Sequence, residues 1–241
     1  EYTSMRCGVQ IFGPTSKSYY SLGDQTSSVD LVPKDTREIT WMYFLSRIDV
    51  LTRDENNAVL CYGDSITSLS WPDYLQLFYM KEMANHTSVV RKAVSGSRVL
   101  RQYDCLMYQS YGIAGLTRFP RESEVYGADR VVILHGINDL IHPVGVEVNE
   151  FRPWSDLPTA QELIDGLCKY ISHARSLGLK IYMGTLTPIN GWRTYNEMRN
   201  GLREEVNAWI RSTDLVDAVI DFDELLRDEN DPTKLNPMYD S

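Results

Sequence analysis

The chain is short of positive charge. It carries 24 Lys and Arg against 33 Asp and Glu, a net charge of −9, and its basic residues are scattered. This disfavours nucleic acid or an anionic membrane as the main partner. No apolar run approaches the roughly 20 residues a bilayer span needs, and no signal peptide is recognisable. Because the chain starts at Glu1 rather than Met, that missing leader leaves the compartment open. Cysteine is scarce too. Cys7, Cys61, Cys105 and Cys168 form no C-x-x-C pair and no ligand cluster. Cys61 and Cys168 sit in apolar patterns and read as buried thiols, while a Cys7–Cys105 bridge stays open. The four histidines show no metal-ligand spacing such as H-x-x-x-H, so no metal and no cofactor is expected. No G-x-G-x-x-G follows a strand and no P-loop is present, which ranks a Rossmann-like or flavodoxin-like nucleotide binder last. The sequon Asn85-His86-Thr87 has a form that arises often by chance.

What is present is a core-forming composition. Apolar residues make up 43% of 241, with 15 Tyr and 5 Trp, enough for one large domain with an appendage. Residues 1–50 read as β-rich. Gly8–Phe12 alternates weakly, Gly13-Pro14 breaks it, and Glu38–Leu45 is dense in β-branched and aromatic residues. This segment is too small to hold a core of its own. Residues 51–241 read as the main domain, with strand and helix alternating. Strands are expected at Ala58–Tyr62, Val89–Val94, Arg130–Leu134, Lys180–Thr185 and Val216–Asp221. Helices are expected from Pro72, at about Ile113–Phe119, from a capping box at Thr159-x-x-Glu162, and over Met198–Ile210. This pattern implies a five-stranded parallel sheet with helices on both faces. Ligands then bind beyond the carboxyl ends of the strands.

Three polar motifs fall at three such ends: Gly63-Asp64-Ser65, Ser95-Gly96 and Gly136-Ile137-Asn138-Asp139. Each alone reads more simply as a polar turn or helix cap. Together they suit acyl transfer. Such chemistry needs a hydroxyl nucleophile, a base with an orienting partner, and donors for the oxyanion. Ser65 fits the nucleophile. Its own N–H, the Gly96 N–H and the Asn138 amide fit the donors. Asp64, Asp139 and His142 are candidate substrate-facing residues. His142, on the loop after Asn138, is the one in-chain substitute base to test. His86, His135 and His173 read as structural or solvated, and Glu122/Glu124 and Glu204-Glu205 as solvated charge. Trp71, Trp154 and Trp192 fall on expected rim loops, where packing explains them at least as well as stacking on a sugar.

At these motifs the chain resembles the GDSL, or SGNH, hydrolase family of serine esterases and lipases. Gly63-Asp64-Ser65-Ile66-Thr67 is similar to its nucleophile block, Ser95-Gly96 to its second block, and Gly136-x-Asn138-Asp139 to its third. Arg91, five residues before Gly96, is a local departure, since the second block often begins with Asn. The resemblance covers roughly residues 42–241. It implies a three-layer α/β/α, flavodoxin-like fold, metal-free ester hydrolysis and a small-molecule or carbohydrate ester as substrate, and it favours secretion. Tyr43–Val50, Val219–Asp223 and Asn236–Ser241 resemble a bacterial subgroup in which a β-rich domain precedes the hydrolase, so 1–50 would be the tail of such a domain. The family's final Asp-x-x-His block, which supplies the base and its carboxylate, would fall just beyond Ser241. The expectation is therefore an ester hydrolase acting through Ser65 and an acyl-enzyme, with these 241 residues alone nearly inactive. The alternative is a carbohydrate- or acyl-binding module of the same fold, without turnover.

Overall fold

The computed structural model describes residues 9–10, 18–24, 27, 29, 36–39, 41–42, 48–82 and 86–239. The Tyr43–Arg47 stretch, Cys7, Asn85, Asp240 and Ser241, on which parts of the sequence reading rest, lie outside the described residues.

The N-terminal strands are short. β1 (Val9–Gln10) pairs antiparallel with β4 (Trp41–Met42), and β2 (Ser18–Tyr20) pairs antiparallel with β3 (Arg37–Ile39). The single strand expected over Glu38–Leu45 is thus two strands belonging to two different ribbons. Strand propensity was read correctly there. Pairing partners depend on chain contacts that propensity does not encode.

The main sheet is built from β5 (Asn57–Gly63), β6 (Thr87–Ala93), β7 (Ala128–Leu134), β8 (Lys180–Gly184) and β9 (Ala218–Ile220). All its pairings are parallel and its order is β6-β5-β7-β8-β9. The central strands are covered on both faces, which is why they read as unbroken apolar runs. Along β5 and β7, Leu60, Tyr62, Val131 and Ile133 face one layer, and Val59, Cys61 and Val132 face the other.

The thicker layer packs α3 (Gly115–Glu122), α5 (Ala160–Ser176) and α6 (Glu197–Ser212) against the sheet through Phe119, Leu163, Leu167, Tyr170, Val206 and Ile210. Full burial of each large apolar side chain contributes about 1.5–3 kcal/mol. The thinner layer is α2 (Trp71–Glu82), which brings Trp71, Leu75 and Tyr79 onto Val59 and Cys61. Trp71 therefore opens a helix and packs on the sheet, with its ring centroid 6.1 Å from that of Phe222. It does not occupy a rim loop. The Thr159 capping box forms as expected, with both reciprocal hydrogen bonds made. Three short helices complete the unit: α1 (Ser65–Ser68), α4 (Ile137–Ile141) and α7 (Phe222–Leu226). Among the described residues, no helix is long and apolar enough to cross a membrane.

Crossovers of one hand place successive helices according to the direction in which the chain moves across the sheet. From β5 the chain steps one way to β6, then back past β5 to β7, β8 and β9. The direction reverses at β5, so the helices that follow β5 and β7 lie on opposite faces. A crevice opens between their starts at the carboxyl end of β5.

Candidate active site

That crevice gathers the three polar motifs. β5 ends at Gly63, whose Cα is packed tightly. A Cβ there would lie 2.2 Å from the Leu134 carbonyl oxygen and 2.5 Å from Thr67 Oγ1, so only glycine allows the turn. Asp64 caps α1, its Oδ1 accepting from Ile66 N–H at 3.0 Å. This cap starts the helix on Ser65, which is half-buried at the rim. The Ser65 carbonyl accepts from Ser68 Oγ at 3.0 Å, and Ser68 Oγ in turn lies 2.9 Å from Ser95 Oγ. The nucleophile turn and the turn after β6 are thereby joined.

Gly96 adopts φ +78°, a conformation that favours glycine. A Cβ on it would fall 2.5 Å from the Tyr111 ring. Next to it stands Ser97, to which sequence reasoning gave no role. Its carbonyl accepts from Asn138 Nδ2 at 2.9 Å and lies 3.2 Å from His135 Nε2. Its Oγ lies 3.0 Å from His135 Nε2 and accepts from Arg118 Nη2 at 3.4 Å. Arg118 also donates to the Gly63 carbonyl at 3.2 Å. Ser97 thus ties the ends of β5, β6 and β7 together. The one signal of this in the sequence was its position beside Gly96.

Asn138 and Asp139 sit in α4, and both are buried. The bond to Ser97 fixes the Asn138 amide plane and uses one of its two N–H donors. Asp139 accepts from the N–H groups of Val99 (2.7 Å) and Leu100 (3.0 Å). It therefore clamps the segment after Gly96 onto α4. Burial pushes the Asp64 carboxyl up to about 7 and the Asp139 carboxyl up to about 6. In each case backbone N–H donors oppose the rise, because they favour the charged form.

The imidazoles have partners of their own. His135 Nδ1 lies 3.1 Å from Tyr170 Oη, and the two rings stack at 3°. Burial, reinforced by Arg118, pushes His135 down to about 3, so it is neutral across the working pH range. His142 is buried beneath the rim. Its Nδ1 accepts from the Tyr103 hydroxyl, and its ring stacks on Tyr111 at 5.7 Å. Burial first, then Arg152, Arg98 and Arg193, push His142 down to about 3. His86 Nδ1 pairs with Asn56 Oδ1 at 2.9 Å, and His173 meets the edge of Phe119 at 5.9 Å. Among the described residues, no group of three His, Cys, Asp or Glu side chains is placed to hold a metal ion. Cys61, Cys105 and Cys168 are free thiols, and burial pushes Cys61 up to about 12.

A family model described as the GDSL-like lipase/acylhydrolase family matches residues 61–240. The chain belongs to this family. No curated relative matches it. Among solved structures, a proposed acylhydrolase of Bacteroides fragilis is similar at TM-score 0.52, 16% identity and 78% coverage of both chains. A GDSL-like lipase of Bacteroides thetaiotaomicron is similar at TM-score 0.50, 16% identity and 77% coverage of both. A mutant of the esterase AlinE4 is similar at TM-score 0.52 and 15% identity, with 74% of this chain and 82% of that one covered. At these identities the likeness establishes the fold, which is the α/β architecture of SGNH hydrolases. The family match supports ester hydrolysis as the general class of chemistry.

Proposed function

We propose that the protein is a serine ester hydrolase in which Ser65 Oγ attacks the ester carbonyl. The bond from Oγ to carbon forms as the carbonyl π pair moves onto oxygen. That oxyanion is received by the N–H groups of Ser65 and Gly96 and by the Asn138 Nδ2 donor that faces away from Ser97. Expulsion of the alcohol leaves an acyl-Ser65, which water cleaves to the carboxylic acid. The observation that carries this reading is the Ser97 carbonyl, which accepts from Asn138 at 2.9 Å and so orients one candidate donor beside the other. Donors held before the reaction need no reorganisation as charge develops, and losing one typically costs about 100- to 1,000-fold in rate. In this reading Asp64, Asp139 and His142 are positioning residues rather than substrate contacts, since each is buried and bonded within the protein. Residues 51–241 form the hydrolase unit.

The test is hydrolysis of p-nitrophenyl acetate by the full-length protein. Ser65→Ala should lower kcat by several powers of ten, with the fold retained by circular dichroism. Unchanged turnover in that variant would remove Ser65 from the mechanism.

A second reading has one observation in its favour. All four imidazoles are engaged elsewhere, so none of them is offered to Ser65 as a base. A rim that binds an acyl or sugar ester without turning it over would have this arrangement. Burst-phase release of p-nitrophenol, stoichiometric with Ser65, separates the two.

A further inference from the structure

Five arginines are buried among the described residues: Arg98, Arg118, Arg152, Arg199 and Arg203. Three have a carboxylate partner. Arg98 pairs with Asp156 at 2.8 Å, Arg118 with Glu122 at 2.8 Å and Arg203 with Asp223 at 2.5 Å. Arg152 (7% exposed) and Arg199 (1% exposed) have none, and the Nε of each is buried without a hydrogen-bond partner. Both line one cleft of about 670 Å³, and the exposed Arg193 lines it as well. Three guanidinium groups thus converge, unneutralised, in a protein of net charge −9. They act on one another: burial, then the neighbouring Arg152 charge, lowers the Arg199 pKa.

The available neutral partners do not discharge this cluster. Arg199 donates to the carbonyls of Leu140 and Pro143 and lies 5.3 Å from the Trp154 ring centroid. Arg152 lies 5.7 Å from the centroid of Tyr108. Aromatic faces attract cations weakly and leave the charge in place. Glu147, the carboxylate bonded at this rim, accepts from Trp154 Nε1 at 3.0 Å rather than from an arginine. Buried charges are ordinarily paired, and an arginine fork matches the planar oxygens of a carboxylate or the face of a sulfate or phosphate.

The cleft adjoins the candidate site across one wall of rings. Tyr108 lines it, and the Tyr108 and Tyr111 centroids are 5.3 Å apart. Tyr111 in turn covers Gly96. From the other side, Arg199 grips the carbonyl of Leu140 in α4, the helix that carries Asn138. We infer that the Arg152–Arg193–Arg199 cleft receives an oxyanion, of the carboxylate, sulfate or phosphate class, carried by the ester substrate. The cleft's capacity for an anion stands on the arginines alone, whereas its role as a substrate subsite rests on the ester-hydrolase reading. Trp154, 49% exposed on the same wall, gives the remainder of an anionic substrate a flat apolar face.

The experiment has two arms, each with the full-length protein. In the first, succinate and inorganic sulfate at low millimolar concentration are titrated calorimetrically at constant ionic strength, with chloride as reference. Saturable binding is expected, weakened at least about tenfold by Arg152→Gln and by Arg193→Gln, since a hydrogen bond to a charged group contributes about 1.5–3 kcal/mol. Arg193 is exposed, so its variant keeps the fold even if Arg152→Gln does not. Binding no stronger than that of chloride, or unaltered in Arg193→Gln, overturns the anion site. In the second arm, kcat/KM is compared for mono-p-nitrophenyl succinate and p-nitrophenyl butyrate. The ratio should favour the anionic ester and fall at least about tenfold in Arg193→Gln. A ratio that does not move overturns the substrate role. Anion binding in the first arm with no hydrolysis of either ester retires the ester-hydrolase reading and upholds the anion site.

Discussion

At the scale of single residues, the candidate site depends on side chains that hold backbone still. His135 shows how. Its neutral ring fits between Ser97 and Tyr170, and its pKa is depressed from the ordinary 6.5 to about 3. Between these values the unfolded chain binds a proton that the folded chain refuses, so stability rises with pH across that window. Its contribution is complete above about 6.5 and is lost as pH falls toward 3. The raised carboxyls of Asp64 and Asp139 work in the opposite sense, binding protons in the folded state between the ordinary carboxylate range and about 6–7. Comparison with His135→Gln isolates the histidine. Urea denaturation at pH 4, 5.5 and 7 should show a shallower loss of stability toward acid in the variant than in the wild type. Ser65, Gly96 and Asn138 were legible because each sits at the polar end of an apolar strand. Ser97, Arg118 and the cleft arginines were not, because their importance lies in partners 20 to 60 residues away, which no local pattern records.

At the scale of elements, legibility followed burial. The five parallel strands announced themselves as apolar runs. α5 did so through its capping box, in which Thr159 Oγ1 accepts from the Glu162 N–H at 3.2 Å and Glu162 accepts from the Thr159 N–H at 2.8 Å. Thr159→Ala should cost about 1 kcal/mol of stability, within the usual 0.5–2 for a lost N-cap, read as a lower denaturant midpoint with an unchanged m value. The short elements were hidden. α4 has five residues, all buried, leaving no polar face to mark a helical period. α3 carries Pro120 inside it, a residue that argues against a helix when read alone. The 3-10 turn at Leu106–Tyr111 supplies two of the tyrosines over Gly96 and His142, yet six residues of mixed polarity give no period to detect. The division of Glu38–Met42 between two ribbons was equally invisible, since it is set by strand pairing.

At the scale of the whole molecule, a buried ion network closes the far side of the sheet. Arg203, 1% exposed, donates to Asp223 at 2.5 Å, to the Leu186 carbonyl at 3.1 Å and to Asn200 Oδ1 at 3.0 Å. Arg211 reaches Asp221 and Asp223, each at 2.7 Å. α6, α7 and the exit of β8 are held together at one point. Arg203→Met leaves the Asp223 carboxylate buried with Arg211 as its remaining cation, and should cost about 3–5 kcal/mol, measured as a drop in the urea midpoint. The reversal of direction at β5 has a consequence of a different kind. β5 is the first strand of the sheet to be made, and it ends as a central one. Its β6 edge is satisfied 30 residues later, by the pairing of Asn57 with Thr87. Its other edge waits for β7, 70 residues downstream, where Ala58 meets Ala128. During synthesis the most apolar strand of the protein therefore stands with one edge open while a third of the chain is still to be added, and an open apolar edge is a template for pairing with another chain. The arrangement that creates the catalytic crevice in the finished molecule also makes β5 the segment most in need of protection while the molecule is being made.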